Sequence, residues 1–334
     1  KNRSRDLYQS PDYARATYWL AHVFGMNADQ TWYWARESDG SPRVNVGVGY
    51  AGSNVHQPRI VNEVESTLMD LNANSEEITA MQRQKKPIRL FYTKTSAINK
   101  NHQMDDVRDL YEALFFDGVS LGFATKNIIE KQNNNDWEVI VIYDTEFITQ
   151  AEMNTLQLYL DDGGTVIKDN ISLTKNEYGQ ALSALTQSNG TLKIVSSLAE
   201  IKNEAMGIIT AKGLLPNFTI TETNGNSNKK GCYWKAITNE AGNDVVTIVN
   251  VGKTTATLDV QLKNDPGNMA FKNLFNGTAF GNSIALKPYE TVLIEVVTEE
   301  SLIRKPIANI LYPNPTRGYF RIEFETEQPT VEMQ

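Results

Sequence analysis

Trp137-Glu138-Val139-Ile140-Val141-Ile142-Tyr143 is a short, almost unbroken apolar run, rich in β-branched residues. A strand of this kind has both faces covered, which is the habit of a parallel sheet sandwiched between helices. The neighbouring segments extend that reading. Upstream, Ile88 to Tyr92 reads as a strand, Asp105 to Phe116 as a helix with Val107, Leu110, Tyr111 and Leu114 on one face, and Val119 to Ala124 as a short strand. Downstream, a helix runs from Thr149 to Leu160 and stops at Gly163-Gly164. Thr165-Val166-Ile167 is the next strand, Tyr178 to Leu185 the next helix, and Leu192 to Val195 a further strand. Strands and helices in alternation predict a parallel, doubly wound α/β sheet over residues 86–214.

The flanks have different periodicity. Residues 60–85 read as linking helices, with Ile60, Val64, Leu68 and Leu71 in one stripe and Asn74 or Ser75 as a second N-cap. Residues 1–59 hold a helix from Pro11 to Gly25, with Ala14, Tyr18, Ala21 and His22 on one face. An aromatic strand, Asp29 to Arg36, and a polar loop, Glu37 to Pro42, follow. A helix and a strand are too little to bury a core, so residues upstream of Lys1 are expected to complete it. Residues 215–299 read as strands and Asn/Gly-rich turns. Tyr233–Ile237, Asp244–Asn250, Thr255–Val260 and Glu290–Val296 predict an all-β sandwich. Residues 300–334 begin as a polar linker and end in a new element.

Composition narrows the function classes. The 334 residues carry a net charge of −8 and a pI near 5.1, with no Lys/Arg cluster, which argues against a nucleic-acid partner. No apolar run is long enough to span a bilayer. The single cysteine, Cys232, excludes an intrachain disulfide and a cysteine-based metal site, and His22, His56 and His102 lack ligand spacing. No metal and no cofactor is expected. Lys1 in place of Met, and an ending at Glu332-Met333-Gln334, are read as truncation at both ends.

Several stretches then point to a family. Trp19-Leu20-Ala21-His22 through Gly25-Met26-Asn27-Ala28-Asp29 resembles the last helix-to-strand passage in the (β/α)8 barrel of family 42 glycoside hydrolases, the β-galactosidase-like enzymes. Thr31-Trp32-Tyr33-Trp34 resembles that barrel's aromatic eighth strand. Leu110 to Gly118 and Tyr159 to Val166 resemble the family's flavodoxin-like trimerisation domain, and the sandwich matches its C-terminal domain in position and size. Tyr312-Pro313-Asn314-Pro315-Thr316, followed by Tyr319 to Phe324, resembles the start of a type IX secretion sorting domain of Bacteroidetes. The resemblance implies the tail of a (β/α)8 barrel, then a flavodoxin-like doubly wound domain, then an all-β sandwich. It further implies a secreted or cell-surface enzyme that forms homo-oligomers, trimers among them, and cleaves β-galactosides or galactose-containing polysaccharides such as those of algae by the retaining route.

That route needs two carboxylates about 5–5.5 Å apart. The family carries its two glutamates on barrel strands four and seven, which places both upstream of Lys1, so no catalytic residue is assigned and the chain alone is expected to be inactive. Trp34 is the first substrate-binding candidate, because side chains at the C-terminal end of a barrel strand face the site and an indole can stack on a pyranose. Read without the resemblance it is a packed aromatic. Trp32, two residues earlier, points the same way but deeper. Arg36 and Glu37 enter the loop over the mouth, where they bond sugar hydroxyls or stay solvated. Thr93-Lys94-Thr95-Ser96-Ala97 has the hydroxyls of a flavin phosphate loop without its glycine. Asn189, Asn217 and Asn276 fit glycosylation sequons but read as turn residues in a bacterial protein. The other reading is a non-catalytic exported carbohydrate-binding or assembly module.

Overall fold

A computed structural model describes residues 11–29, 58–223, 231–265, 267 and 269–299. The Asp29–Arg36 strand, Trp32, Trp34, Arg36, Glu37 and the Tyr312–Phe324 stretch lie outside the described residues, Asp29 itself excepted.

The parallel sheet holds β1 (Ile88–Phe91), β2 (Leu121–Ala124), β3 (Val139–Ile142), β4 (Thr165–Asp169) and β5 (Thr191–Val195) in the order β2-β1-β3-β4-β5. That is the strand order of the flavodoxin-type doubly wound sheet. All four residues of β3 are buried, as its unbroken apolar run requires. One face is covered by α5 (Gln103–Phe115) and α8 (Leu198–Ala211), where Leu110, Leu114, Ile201 and Ile209 meet Leu90, Val139 and Val141. The other is covered by α6 (Lys126–Lys131) and α7 (Gln150–Asp161), where Ile129, Leu156 and Leu160 meet Phe91, Ile140 and Ile142. Thr149 and Glu152 form a reciprocal capping box at the start of α7.

The second half is antiparallel. One sheet has the order β11 (Ala279–Phe280), β10 (Met269–Asn273), β13 (Thr291–Thr298), β8 (Asp244–Asn250), β7 (Cys232–Thr238). The other runs β12 (Ser283–Leu286), β9 (Ala256–Leu262), β6 (Phe218–Glu222). Their inner faces pack together through Trp234, Val246, Ile248 and Ile294 on one side and Phe218, Leu258, Val260 and Leu286 on the other.

The outer face of the larger sheet is not open to water. Against it lie α1 (Pro11–Val23) and α3 (Ser75–Arg83), braced by α2 (Pro58–Ala73). Trp19, Val23, Ile78 and Met81 pack there on Tyr233, Ile237, Val245, Val249 and Leu293. The Trp19 indole donates to the Thr247 hydroxyl at 2.8 Å and meets Phe275 edge-on at 5.0 Å. For α1, therefore, the burial expected from upstream residues is supplied from within the chain. Arg15 clamps α1 to α2 through Glu63 at 2.5 Å and Asp70 at 2.7 Å.

Four expectations change. The buried face of α1 centres on Ala16, Trp19 and Val23. Of the predicted Ala14, Tyr18, Ala21 and His22, Ala14 and Tyr18 face α2 through Val64. In α2, Thr67 is fully buried between Val64 and Leu71, and Leu68 is 40% exposed. Asn74 sits at the N-cap of α3, but its amide donates back to Asp70 O at 2.7 Å and its side chain makes no cap. Tyr178 to Leu185 is not a helix. Gly179 takes φ +80°, the Asn176 side chain accepts from the Tyr178 and Gln180 amides, and the segment is tied back by Leu182 N to Thr174 O at 3.0 Å.

Candidate functional site

The described residues form a cleft of about 450 Å3 where α1, α3, the β2 edge and β7 converge. Alternation along β7 builds its floor. Cys232, Trp234 and Ala236 enter the sandwich core, so Tyr233, Lys235 and Ile237 point the other way, toward the helices. Lys235 is only 5% exposed and lines the cleft. No carboxylate faces it among the cleft's described residues. Burial pulls its ammonium pKa down to about 8, helped by the like charge of Lys86.

Two more cations reach the same space. Lys86 lies in the segment joining α3 to β1, and its stem runs beside Gly122, where an added Cβ would come 3.2 Å from it. Arg89 stands on β1. Its guanidinium lies 4.1 Å from the centre of the Trp137 ring and donates from Nη1 to Phe123 O at 3.2 Å. Its Nε is buried and has no acceptor. Burial lowers the Arg89 pKa against the opposing pull of Asp136 and Tyr159, and the group stays charged at any ordinary pH.

The walls are aromatic. Tyr111 stacks on Phe123 at 6.1 Å with rings 5° apart, and Phe115 stacks on Tyr233 at 4.5 Å. Phe24 joins both, 5.9 Å from Phe115 and 5.1 Å from Tyr233. Phe24 and Phe123 remain 47% and 43% exposed. Gln82 fixes the end of α1 by donating to His22 O at 2.7 Å and Met26 O at 3.1 Å. Gln84 donates to Ala236 O at 2.5 Å and accepts from Ser120 at 3.0 Å, which ties the β2 edge to β7. No Asp or Glu lines the cleft among the described residues. It can hold an anion against apolar rings, and it offers no carboxylate pair for glycoside hydrolysis.

The other place where a doubly wound sheet would take a ligand is the switch point between β1 and β3. Here it is filled by the protein. Thr93 caps α4 (Lys94–Asn99) by accepting from Thr95 N, and Ser96, fully buried, bonds both N and O of Phe147. Lys100 pairs with Asp106 at 2.9 Å and Asp144 at 2.6 Å. The hydroxyls of the supposed phosphate loop are spent on the helix cap and the neighbouring loop.

The remaining single residues have structural partners. His22 Nδ1 lies 2.8 Å from Tyr18 O, and its Nε2 lies 3.5 Å from Asp29. Burial pushes the Cys232 thiol up to about 12. Asn189 donates to Asp161 O at 2.8 Å, and Asn276 accepts from Thr278 N at 3.0 Å, both as turn residues. Among the described residues, no group of His, Cys, Asp and Glu could hold a metal ion, and no helix is long and apolar enough to cross a membrane. Sequence reasoning missed the cleft, because its cations come from three separate elements. One signal was available, a lysine in the middle of the buried run Cys232–Ile237.

No protein-family model and no curated protein matches the sequence. Solved structures do, and they define a class: the fold, with its parallel sheet and antiparallel sheets, is shared with GH42 glycoside hydrolases. An apo exo-carrageenase GH42 from Bacteroides ovatus superposes with a TM-score of 0.81 and 43% identity, over 90% of this chain and 40% of that one. A GH42 β-galactosidase from G. stearothermophilus gives 0.60 at 13% identity, over 86% of this chain and 51% of that one. A β-galactosidase from Bacillus circulans sp. alkalophilus gives 0.54 at 12%, over 77% and 49%. The last two show the fold alone. The chain thus spans between 40% and 51% of the length of these three relatives.

Proposed function

We propose that this chain is the non-nucleophilic part of a retaining GH42-type glycoside hydrolase that acts on β-galactosides or galactose-containing polysaccharides. The observation that carries this is the 43% identity to the exo-carrageenase over 90% of the chain, which also favours a carrageenan among the candidate substrates. In this reading residues 1–59 close a (β/α)8 barrel, residues 86–214 form a flavodoxin-like trimerisation domain, and residues 215–299 form the C-terminal sandwich. The two catalytic glutamates precede Lys1. Trp34 stacks on the sugar, Trp32 supports it from deeper in the barrel, and Arg36 and Glu37 bond hydroxyls at the mouth. The full-length enzyme is a secreted or surface-held oligomer, exported through the type IX machinery by a sorting domain that begins near Tyr312.

The test is hydrolysis by the protein extended upstream, assayed on an aryl β-galactoside and on carrageenan oligosaccharides. The extended protein turns over one of these with retention, and the 334-residue chain turns over neither. Trp34→Ala in the extended protein lowers kcat/KM about 2- to 10-fold or more, the worth of one well-stacked ring. Turnover by the 334-residue chain, or an extended protein inert on both substrates, would refute the reading.

A further inference from the structure

The cleft between the β2 edge and β7 has a charge pattern that the protein around it does not explain. In a chain of net charge −8, three cations, Lys86, Arg89 and Lys235, line one cleft, and no acid lines it among its described residues. An unpaired buried cation is costly, and a fold that served packing alone would place an apolar side chain at position 235. Lys100, by contrast, is paired with Asp106 and Asp144. The Arg89 Nε is likewise left without an acceptor. Around the cations stands a wall of five rings, two of them about half exposed. Amide and hydroxyl groups of Gln82, Gln132 and Ser120 complete the lining.

We propose that this cleft is a binding subsite for an anionic sugar ring, with Lys86, Arg89 and Lys235 on the sulfate ester or carboxylate and Phe24 and Phe123 against the apolar C–H face. The sugar class rests on the glycoside-hydrolase reading; the anion does not, since charge complementarity alone demands it. The volume suits one or two sugar rings, at the small end of ordinary ligand pockets.

The experiment is calorimetric titration of the 334-residue chain with five probes: a sulfated galacto-oligosaccharide, its neutral counterpart, an oligogalacturonide, sodium sulfate and a mononucleotide. The sulfated or the carboxylated oligosaccharide binds at least about 10-fold tighter than the neutral one, and whichever wins names the source of the anion. Lys235→Gln and Arg89→Gln each weaken that binding about 10-fold or more, and Lys235→Met, which keeps the packing, weakens it equally. Equal affinity for neutral and charged sugars, affinity unmoved by Lys235→Met, or sodium sulfate binding as tightly as the oligosaccharide overturns the proposal. So does tighter binding of a mononucleotide, which would use the same rings and cations. Binding is read without turnover, so its failure leaves hydrolysis by the extended protein untouched, and a failed hydrolysis assay leaves binding untouched.

Discussion

Lys235 shows how a single residue trades stability for a site. Its folded pKa, about 8, lies below the ordinary 10.5 because of burial and the like charge of Lys86, with Arg89 and the neutral phenols of Tyr111 and Tyr233 as its other titratable neighbours in the cleft. Between those two pH values the unfolded chain binds more protons than the folded one, so stability rises with pH from about 8 to 10.5 and is lowest below 8. The full span is on the order of 3 kcal/mol. Lys235→Met is therefore expected to raise the melting temperature at pH 7 and to lose most of that advantage by pH 10.5, as thermal unfolding at the two pH values would show. A variant no more stable than wild type at pH 7 would mean that the ammonium is already neutralised. Three residues earlier in the strand, Cys232 makes the opposite case. Buried, 4% exposed, and with its thiol pushed up to about 12, it is expected to resist a thiol reagent at pH 8 until the protein unfolds. Reaction of the native protein within minutes would contradict that.

At the scale of an element, α1 is where sequence and structure part company, and the reason is physical. A single stripe of apolar residues is the signature of a helix with one partner. This helix has two: Ala14 and Tyr18 meet α2, and Ala16, Trp19 and Val23 meet the sandwich sheet. Periodicity found the first face and overlooked the second. Trp19 anchors that second face, fully buried and bonded to Thr247. Trp19→Ala is expected to cost about 3–5 kcal/mol by chemical denaturation, the range for deleting a buried aromatic. Trp19→Phe keeps most of the ring, leaves the Thr247 hydroxyl with its bond to Val292 O at 3.1 Å, and costs roughly 1–2 kcal/mol. If both cost the same, the indole N–H rather than the ring volume holds the helix. The β3 strand was legible for the converse reason: all four of its residues are apolar and buried, and no competing partner confuses the pattern.

Across the whole molecule, the same rule that read β3 applied to β8 and β13 and went unused. Val245-Val246-Thr247-Ile248-Val249, apolar but for Thr247, and Val292-Leu293-Ile294 are buried on both faces like β3, because the helical layer covers the face that a free-standing sandwich would show to water. The run of residues predicts that a partner exists without saying which, so the docking of α1 and α3 had to come from the structure. The cleft was hidden for the same reason, being made where three layers meet. That meeting depends on one glycine. Gly118 takes φ +71° at the end of α5, and a Cβ built there would lie 2.1 Å from the Trp234 ring, whose Nε1 donates to Phe116 O at 3.1 Å. Trp234 itself belongs to the sandwich core, so this contact couples the parallel sheet to the antiparallel one. Backbone strain and overlap act together at this position, and the flexible end of a side chain cannot yield, since the overlapping atoms belong to a packed indole. Gly118→Val is therefore expected to push the two halves apart without dissolving either core. Far-UV circular dichroism and tryptophan fluorescence transitions should lie further apart in the variant than in the wild type, because the two halves no longer support each other, and an unchanged separation would show that the contact carries no coupling.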